Sequence, residues 1–283
     1  MKNDSFDVVG AALAEDLGDG DVTTQFFVPS ALQAVARIVA RERAIVAGTV
    51  TAAEVFRRVD PELHVTIAHP DGSALIGGET ILEIRGAARS ILSAERVALN
   101  FLQRLSGIAT LTRQFVEAAG KTKAQILDTR KTTPGLRALE KAAVVAGGGA
   151  NHRFGLFDMV LVKDNHLTAN SSAKTLAAAV ARVRRERPGI RVELEADRLE
   201  QVRTFLEIDG IDVILLDNMN LAEMREAVAL RKGKGVKFEA SGGVTLKNIR
   251  QVAATGVDYV SVGALTHSAR AIDLSLELTH VRG

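Results

Sequence analysis

Polar and small residues follow apolar runs at six places in the second half of the sequence. The groups are Asp128-Thr129-Arg130-Lys131, Lys163-Asp164-Asn165-His166, Glu195, Asp217-Asn218, Glu239-Ala240-Ser241-Gly242-Gly243 and Val262-Gly263-Ala264. If the apolar runs are parallel strands of a barrel, their carboxyl ends open onto one face, where these side chains would meet. Ordinary solvated loop residues give no reason for charges that alternate in sign at successive strand ends. The spacing therefore predicts a single site that binds a charged ligand.

The charged groups divide into cations and a carboxylate pair. Arg130, Lys131 and Lys163 would supply positive charge to an anionic ligand. Glu195 and Asp217 are suited to Mg²⁺, a hard ion that takes oxygen ligands and keeps several waters. Neither carboxylate has a histidine at ligand spacing, which argues against zinc. We therefore predict that Glu195 and Asp217 bind Mg²⁺.

Two glycine-containing groups predict a phosphate site. Ser241, Gly242 and Gly243 precede a helix predicted over 246–254, and Val262-Gly263-Ala264 follows the last strand. Loops after the final strands of a barrel present free N–H groups to phosphate, and glycine lets the backbone approach closely. The chain has no Walker-type loop, so hydrolysis of nucleoside triphosphates is not indicated.

His152 and Arg153 follow the glycine run 147–149, between a predicted helix and the second strand. The glycines alone indicate a flexible connector. The two residues after them add donors for a polyanionic ligand, and the planar guanidinium of arginine fits a carboxylate with two hydrogen bonds.

The pattern of apolar residues predicts an α/β fold in two parts. After Gly120, apolar runs at 125–127, 159–162, 191–194, 213–216, 236–238 and 259–262 alternate with helical stretches at 136–145, 173–187, 199–206, 221–230 and 246–254. This alternation is typical of buried parallel strands, and six units in succession favour an incomplete (β/α) barrel over an open sheet.

Before the barrel, the sequence predicts an N-terminal α/β sandwich domain. Short alternating strands at 35–39, 63–68 and 80–84 surround a helix at 50–59, and a long helix follows at 90–119 with an interruption at Ser106-Gly107. We place the domains at 1–110 and 111–283.

Composition narrows the classes of function. The 283 residues contain no cysteine, which excludes disulfides, thiolate zinc sites and a cysteine nucleophile. The formal charge is +2 and aromatic residues are 4%, so neither footprint of a nucleic-acid-binding protein is present. Without a leader pattern or an apolar run of bilayer length, we expect a cytoplasmic protein that binds no membrane.

The ordered set of motifs resembles the quinolinate phosphoribosyltransferases, also called nicotinate-nucleotide pyrophosphorylases (carboxylating). The resemblance covers essentially the whole chain. The segments that carry it are 15–24, 95–100, 106–110, 128–137, 147–153, 163–166, 215–218, 239–244 and 261–267.

The resemblance implies a reaction in which quinolinate and phosphoribosyl pyrophosphate give nicotinate mononucleotide, pyrophosphate and CO₂ with Mg²⁺. It implies a homodimer, or a higher oligomer, in which Arg96 enters the site of the neighbouring subunit. It assigns catalysis to Lys131, Lys163, Glu195 and Asp217. Substrate binding would use these four residues together with Arg96, Thr129, Arg130, His152, Arg153, Ser241, Gly242, Gly243, Val262, Gly263 and Ala264.

Three alternatives remain open at the level of the sequence. One is an enzyme of the same fold with a different acceptor, including the molybdenum-associated homologues. The second is a Schiff-base aldolase barrel in which Lys163 is the nucleophile. The third is a phosphate-binding module without catalysis, which would not need the carboxylate pair of Glu195 and Asp217.

Overall fold

The computed structural model describes residues 6–163, 166 and 172–280, which form two compact units. One unit comprises 1–113, 132–148 and 266–283, and the other comprises 114–131 and 149–265. Asp164 and Asn165 of the predicted lysine motif lie outside the described residues. The predicted domain boundary between 110 and 111 stays a prediction.

The helices are α1 (Val8–Leu17), α2 (Val22–Phe27), α3 (Thr49–Val59), α4 (Ala88–Ala119), α5 (Arg137–Ala146), α6 (Ala173–Glu186), α7 (Leu199–Leu206), α8 (Leu221–Leu230), α9 (Ile249–Ala253) and α10 (Ala264–His267). The strands are β1 (Gln33–Ala40), β2 (Ala44–Ile45), β3 (His64–Ile67), β4 (Ala74–Leu75), β5 (Thr80–Ala87), β6 (Gln125–Leu127), β7 (Met159–Val162), β8 (Arg191–Ala196), β9 (Val213–Asp217), β10 (Lys237–Ser241), β11 (Tyr259–Ser261) and β12 (Leu274–His280). None of the described helices is long and apolar enough to cross a membrane.

The first unit is built on a four-stranded antiparallel sheet in the order β12-β1-β5-β3. Along β1, Ala34, Ala36 and Ile38 are buried because alternate residues of a strand point to the same face. Residues of α3 and α4, such as Phe56 and Ile91, belong to the same core. This arrangement confirms the predicted N-terminal α/β sandwich. The partner strand β12 comes from the far end of the chain and was not predicted.

The long helix α4 continues through Ser106 and Gly107, so the predicted interruption there is wrong. The glycine at position 107 is explained by close packing instead of by a break in the helix. A Cβ atom at this position would lie 1.9 Å from the carbonyl oxygen of Arg270, which is far inside van der Waals contact. The glycine therefore allows the segment before β12 to lie against the helix.

The second unit contains six parallel strands in the order β6-β11-β10-β9-β8-β7. The last strand of the series, β11, pairs with the first, β6, as in a barrel. No ladder joins β6 to β7 among the described residues, and at this open side Leu127 forms a single parallel bridge to Ala150. The predicted incomplete (β/α) barrel is thus confirmed, with its gap between the first and second strands.

The predicted ends of two strands and the predicted start of one helix are corrected. The strands β8 and β10 extend to Ala196 and Ser241, so Glu195 and Glu239 lie within strands instead of after them. The helix predicted to begin at Leu246 begins at Ile249. The amide oxygen of Asn248 accepts a hydrogen bond from the Thr245 N–H at 2.8 Å, and this local turn precedes the first helical residue.

Asp258 holds the amino ends of three strands together, at the edge of the sheet opposite the strand carboxyl ends. Its carboxylate accepts hydrogen bonds from Lys123 Nζ at 2.9 Å, Arg231 Nη1 at 2.8 Å and the Phe238 N–H at 2.9 Å. Burial alone would raise the pKa of Asp258, but the bonds from Phe238 and Lys123 hold it below its usual value. Residues at this edge of a barrel serve stability.

We expect Asp258→Asn to lower the free energy of unfolding by about 2–4 kcal/mol at pH 7, because three cations, Lys123, Arg231 and Lys237, lose their buried partner. The pKa is lowered in the folded state, so the contribution is complete above the unfolded value and disappears as the pH falls through the folded value. Urea unfolding at pH 7 and at successively lower pH measures the difference. Asp209→Asn, at an exposed position, is the control. A difference that does not shrink on acidification would contradict this reading.

Candidate active site

The predicted residues of the second unit lie at or just beyond the carboxyl ends of its parallel strands, except His152 and Arg153, which follow the bridge at Ala150. The register places Glu195 of β8 beside Leu215 of β9, and Asp217 beside Ser241 of β10. Because side chains two residues apart on a strand share a face, Glu195 and Asp217 lie on the same face of adjacent strands. The single edge of one sheet therefore carries both predicted metal ligands and the start of the predicted phosphate loop.

Lys163 and Glu195 form an ion pair across β7 and β8, with Lys163 Nζ 2.9 Å from Glu195 Oε2. The lysine side chain is 45% exposed and the glutamate side chain is 11% exposed. The opposite charges attract each other and fix the end of the lysine side chain beside β8. Lys163 is thus a cation held at a defined position.

Asp217 is connected to the predicted phosphate loop through Asn218. The Asn218 side-chain amide donates to Asp217 Oδ2 at 2.8 Å, and its backbone N–H donates to the Ser241 carbonyl at 2.9 Å. Gly242 has a φ of 95°, and a Cβ there would lie 2.1 Å from Asn218 Oδ1. Only glycine fits this position, so the asparagine and the loop hold one another in place. Gly243 follows, also with positive φ and exposed.

The remaining predicted phosphate residues follow β11. The Val262 N–H donates to the Leu127 carbonyl at 2.9 Å, which holds the end of β11 beside β6. Gly263 and Ala264 are half-buried at this edge. After β6, Thr129 Oγ1 accepts a hydrogen bond from the Lys131 N–H at 3.1 Å, and the lysine side chain is exposed.

Arg130 and Arg153 are two half-buried cations that influence each other. Burial lowers the pKa of Arg153, and the positive charge of Arg130 lowers it further. Arg153 Nη1 also donates to the Met159 carbonyl at 3.3 Å. Like charges held close together repel, and an anion with more than one negative group would relieve that repulsion.

His152 is fixed at its backbone and at both ring nitrogens. Its N–H donates to the buried Asp128 carboxylate at 2.9 Å. Nε2 lies 3.4 Å from Glu193 Oε2 and 3.5 Å from Glu239 Oε2. At the other nitrogen, Nδ1 accepts the Arg153 N–H at 2.8 Å. The ring therefore lies against the face of the sheet that carries Glu193 of β8 and Glu239 of β10.

Two influences on the charge of His152 oppose each other. Burial disfavours the charged ring, yet hydrogen bonds to Glu193 and Glu239 outweigh it and raise the pKa of His152 to about 10. The Arg153 N–H, by contrast, requires a lone pair on Nδ1 and so favours the neutral ring. In this conformation the contact with Arg153 determines the protonation of the ring. Nδ1 must be unprotonated, because a proton there would point at the hydrogen of the Arg153 amide. Nε2 carries a hydrogen in either state.

The sequence places Asp128 and Glu239 in the strand-end groups without a separate role for either, and Glu193 is not among the predicted residues; all three are buried. A signal was present for Glu193. It alternates with Glu195 in the segment Glu193-Leu194-Glu195, so both must lie on the same face of a buried strand, where an unpaired carboxylate is costly.

Arg96 is the predicted site residue that belongs to the other compact unit. It lies on α4 and its side chain is exposed. Its participation in the site stays a prediction.

The predicted Mg²⁺ ligands fit the ion by their chemistry. Glu195 and Asp217 offer carboxylate oxygens on one face of adjacent strands, and Mg²⁺ in phosphate-processing sites binds one or two carboxylates together with water and phosphate oxygens. A different set, His152, Glu193 and Glu239, is the only described group of three or more side chains at metal-ligand distances, their ligand atoms lying within 4.8 Å of one another.

Comparison with known proteins agrees with this geometry. The family model for the N-terminal domain of quinolinate phosphoribosyl transferase matches residues 21–106, and the model for its C-terminal domain matches residues 108–277. The chloroplastic nicotinate-nucleotide pyrophosphorylase (carboxylating) of Oryza sativa subsp. japonica is 42% identical over 287 residues, 96% of this chain and 76% of that protein.

Bacterial proteins are similarly close. The probable nicotinate-nucleotide pyrophosphorylase (carboxylating) of Bacillus subtilis is 43% identical over 266 residues, 94% of this chain and 90% of that protein. The crystal structure of NadC from Streptococcus pyogenes superposes with a TM-score of 0.91 at 40% identity, covering 98% of this chain and 96% of that one. This chain belongs to the quinolinate phosphoribosyl transferase family.

Proposed function

We propose that this protein transfers the phosphoribosyl group of phosphoribosyl pyrophosphate to quinolinate, releasing pyrophosphate and CO₂ and forming nicotinate mononucleotide for NAD biosynthesis. The observation that carries the proposal is the division of charge at one edge of the parallel sheet. Arg130 and Arg153 form a cationic pair, whereas Glu195 and Asp217 present carboxylates beside the Ser241-Gly242 turn. A dicarboxylate and a magnesium-bound polyphosphate need these two kinds of surface side by side.

The acceptor side follows from the charge of quinolinate, which carries two adjacent carboxylates. Arg130 and Arg153 would bind them, with Lys131 and the ammonium of Lys163 as additional cations. Fixing the ring in this way places its nitrogen in line with the anomeric carbon of the ribose. After ribosylation the nitrogen is positive, so the electron pair left by loss of CO₂ from the adjacent carbon is stabilised by the ring itself.

On the donor side, Glu195 and Asp217 would hold Mg²⁺, which supplies positive charge to the departing pyrophosphate. Breaking the bond to pyrophosphate leaves an oxocarbenium-like ribose, so neutralising the leaving group lowers the barrier. The backbone N–H groups of Gly242 and Gly243 are available for phosphate oxygens, because both glycines are exposed. Val262, Gly263 and Ala264 border the same edge.

The aldolase alternative fits the geometry less well. A lysine that forms a Schiff base must be neutral, which apolar burial favours. Lys163 instead contacts a carboxylate at 2.9 Å and remains partly exposed.

The assembly that we propose is a cytoplasmic homodimer in which Arg96 serves the partner's site. Each compact unit exposes large apolar side chains that a monomer would leave in water. In the first unit these are Phe26 and Phe27, and in the second they are Phe154, Leu156 and Phe157. Exposed apolar clusters of this kind are typical of protein interfaces.

Incubation with quinolinate, phosphoribosyl pyrophosphate and Mg²⁺ should yield equal amounts of CO₂ and nicotinate mononucleotide. Nicotinate should be a poor substitute, because part of the cationic site would stay without its carboxylate. Release of labelled CO₂ and chromatography of the mononucleotide provide the measurement. Equal rates with nicotinate would show that the acceptor is wrongly assigned.

Glu195→Gln and Asp217→Asn should each lower kcat/KM for phosphoribosyl pyrophosphate by about 100-fold, because each removes charge from the metal site. Higher Mg²⁺ should recover part of the loss, and removal of the metal by EDTA should abolish turnover. Glu200→Gln, at an exposed position, is the matched control. Variants with an unchanged dependence on Mg²⁺ would exclude these carboxylates as ligands.

Two inactive variants should complement each other if Arg96 acts in the partner's site. Arg96→Ala and Lys163→Ala should each be nearly inactive, whereas a co-refolded mixture should recover about a quarter of the wild-type rate. Random pairing makes half of the dimers mixed, and each mixed dimer has one intact site of two. No recovery in a mixture that contains mixed dimers would place Arg96 in its own subunit's site.

A further inference from the structure

The cluster of His152, Glu193 and Glu239 lies in the interior of the second unit, and the reaction proposed above gives no role to its carboxylates. The side chains of the three residues are 9%, 1% and 2% exposed. Oε1 of each glutamate is also buried and accepts no hydrogen bond within the described part of the chain. Two acids in such surroundings cost stability unless they act on a group that needs them.

A metal ion is not the group that explains the cluster. A histidine binds a metal through an unprotonated nitrogen. Here Nδ1 already accepts the Arg153 N–H at 2.8 Å, so the ring must carry its hydrogen on Nε2, the atom that faces the two carboxylates. The arrangement is instead a clamp in which one N–H group faces two carboxylate oxygens, at 3.4 and 3.5 Å.

The clamp lies next to the gap in the barrel, and this location indicates its structural role. The barrel is open between β6 and β7, and the segment at this gap joins the sheet through the single bridge of Ala150 to Leu127. Beyond that bridge, Asp128 holds the backbone of His152. The contact of the His152 ring with Glu193 and Glu239 is then the attachment of this segment to the sheet that directly precedes Arg153.

We propose that Glu193 and Glu239 are positioning residues that grip His152 through Nε2–H, fasten the 150–153 segment in the gap of the barrel, and thereby aim Arg153 at the acceptor's carboxylate. This inference rests on the proposed function, since it assumes that Arg153 binds the dicarboxylate. Glu239 acts on the substrate through His152, and Glu193 acts through His152 and also by its charge on Arg153.

Quinolinate affinity, measured by isothermal titration calorimetry on the full chain, tests the chain of contacts. Glu193→Ala and Glu239→Ala should each weaken binding about tenfold or more, the loss expected for a hydrogen bond to a charged group. Glu200→Ala should bind like wild type. The isosteric Glu193→Gln and Glu239→Gln keep an acceptor for Nε2–H and should restore affinity to within about threefold.

A double-mutant cycle separates positioning from general damage. If Glu239 acts through His152, the double variant His152→Ala/Glu239→Ala should bind quinolinate no more weakly than His152→Ala alone. Additive losses would mean that the acid acts elsewhere, and glutamine variants as weak as the alanine variants, with unchanged urea unfolding, would also overturn the clamp.

Nitrogen-15 NMR of histidine-labelled protein observes the contact directly. The signal that disappears in His152→Ala should be that of a ring with hydrogen on Nε2 and none on Nδ1. Hydrogen on Nδ1 alone, or stoichiometric Zn²⁺ binding that is lost in Glu193→Ala, would overturn the proposal. If wild type does not bind quinolinate, the proposed function fails, whereas the NMR result still decides whether the clamp exists.

Discussion

Charge buried at one end of a parallel sheet is the constraint on which the rest of this site depends. An ion taken out of water costs several kcal/mol unless a partner compensates it. The Glu195 carboxylate has the ammonium of Lys163, the Asp217 carboxylate has the Asn218 amide, and the buried carboxylates of Glu193 and Glu239 have the His152 ring. The pairing limits where each side chain can go, so the charges are held in position before any ligand arrives.

Arg130 and Arg153 add a repulsion to this arrangement. Arg130 and Arg153 lie close enough for one charge to lower the pKa of the other. Their repulsion is a cost of the folded state, and a ligand with two carboxylates would remove it. The two guanidinium groups therefore present positive charge that a dianion would complement. Preorganised charge of this kind is more effective than charge that must rearrange.

The local pattern of apolar and polar residues predicted much of the fold but less of the candidate site. The limits of β6, β7, α7 and α8 agree with the predicted ranges, because buried strands and amphipathic helices differ in their periodicity. The strand β12 was missed because its alternation at Leu274, Leu276 and Leu278 has meaning only beside β1, more than two hundred residues earlier. The Lys163–Glu195 contact likewise depends on the register of two strands.

The gap in the barrel explains why the side of the site that carries Arg153 is built differently from the side that carries Glu195 and Asp217. Glu195, Asp217 and Ser241 stand on paired strands, whose ladder hydrogen bonds fix them. Arg153 stands on a segment that has one bridge at Ala150, and side chains must supply the rigidity that a strand would have given. Buried acids at Asp128, Glu193 and Glu239 all point to that segment through His152. An incomplete barrel can thus place a flexible arginine accurately, provided that its interior carries the acids to hold the neighbouring histidine.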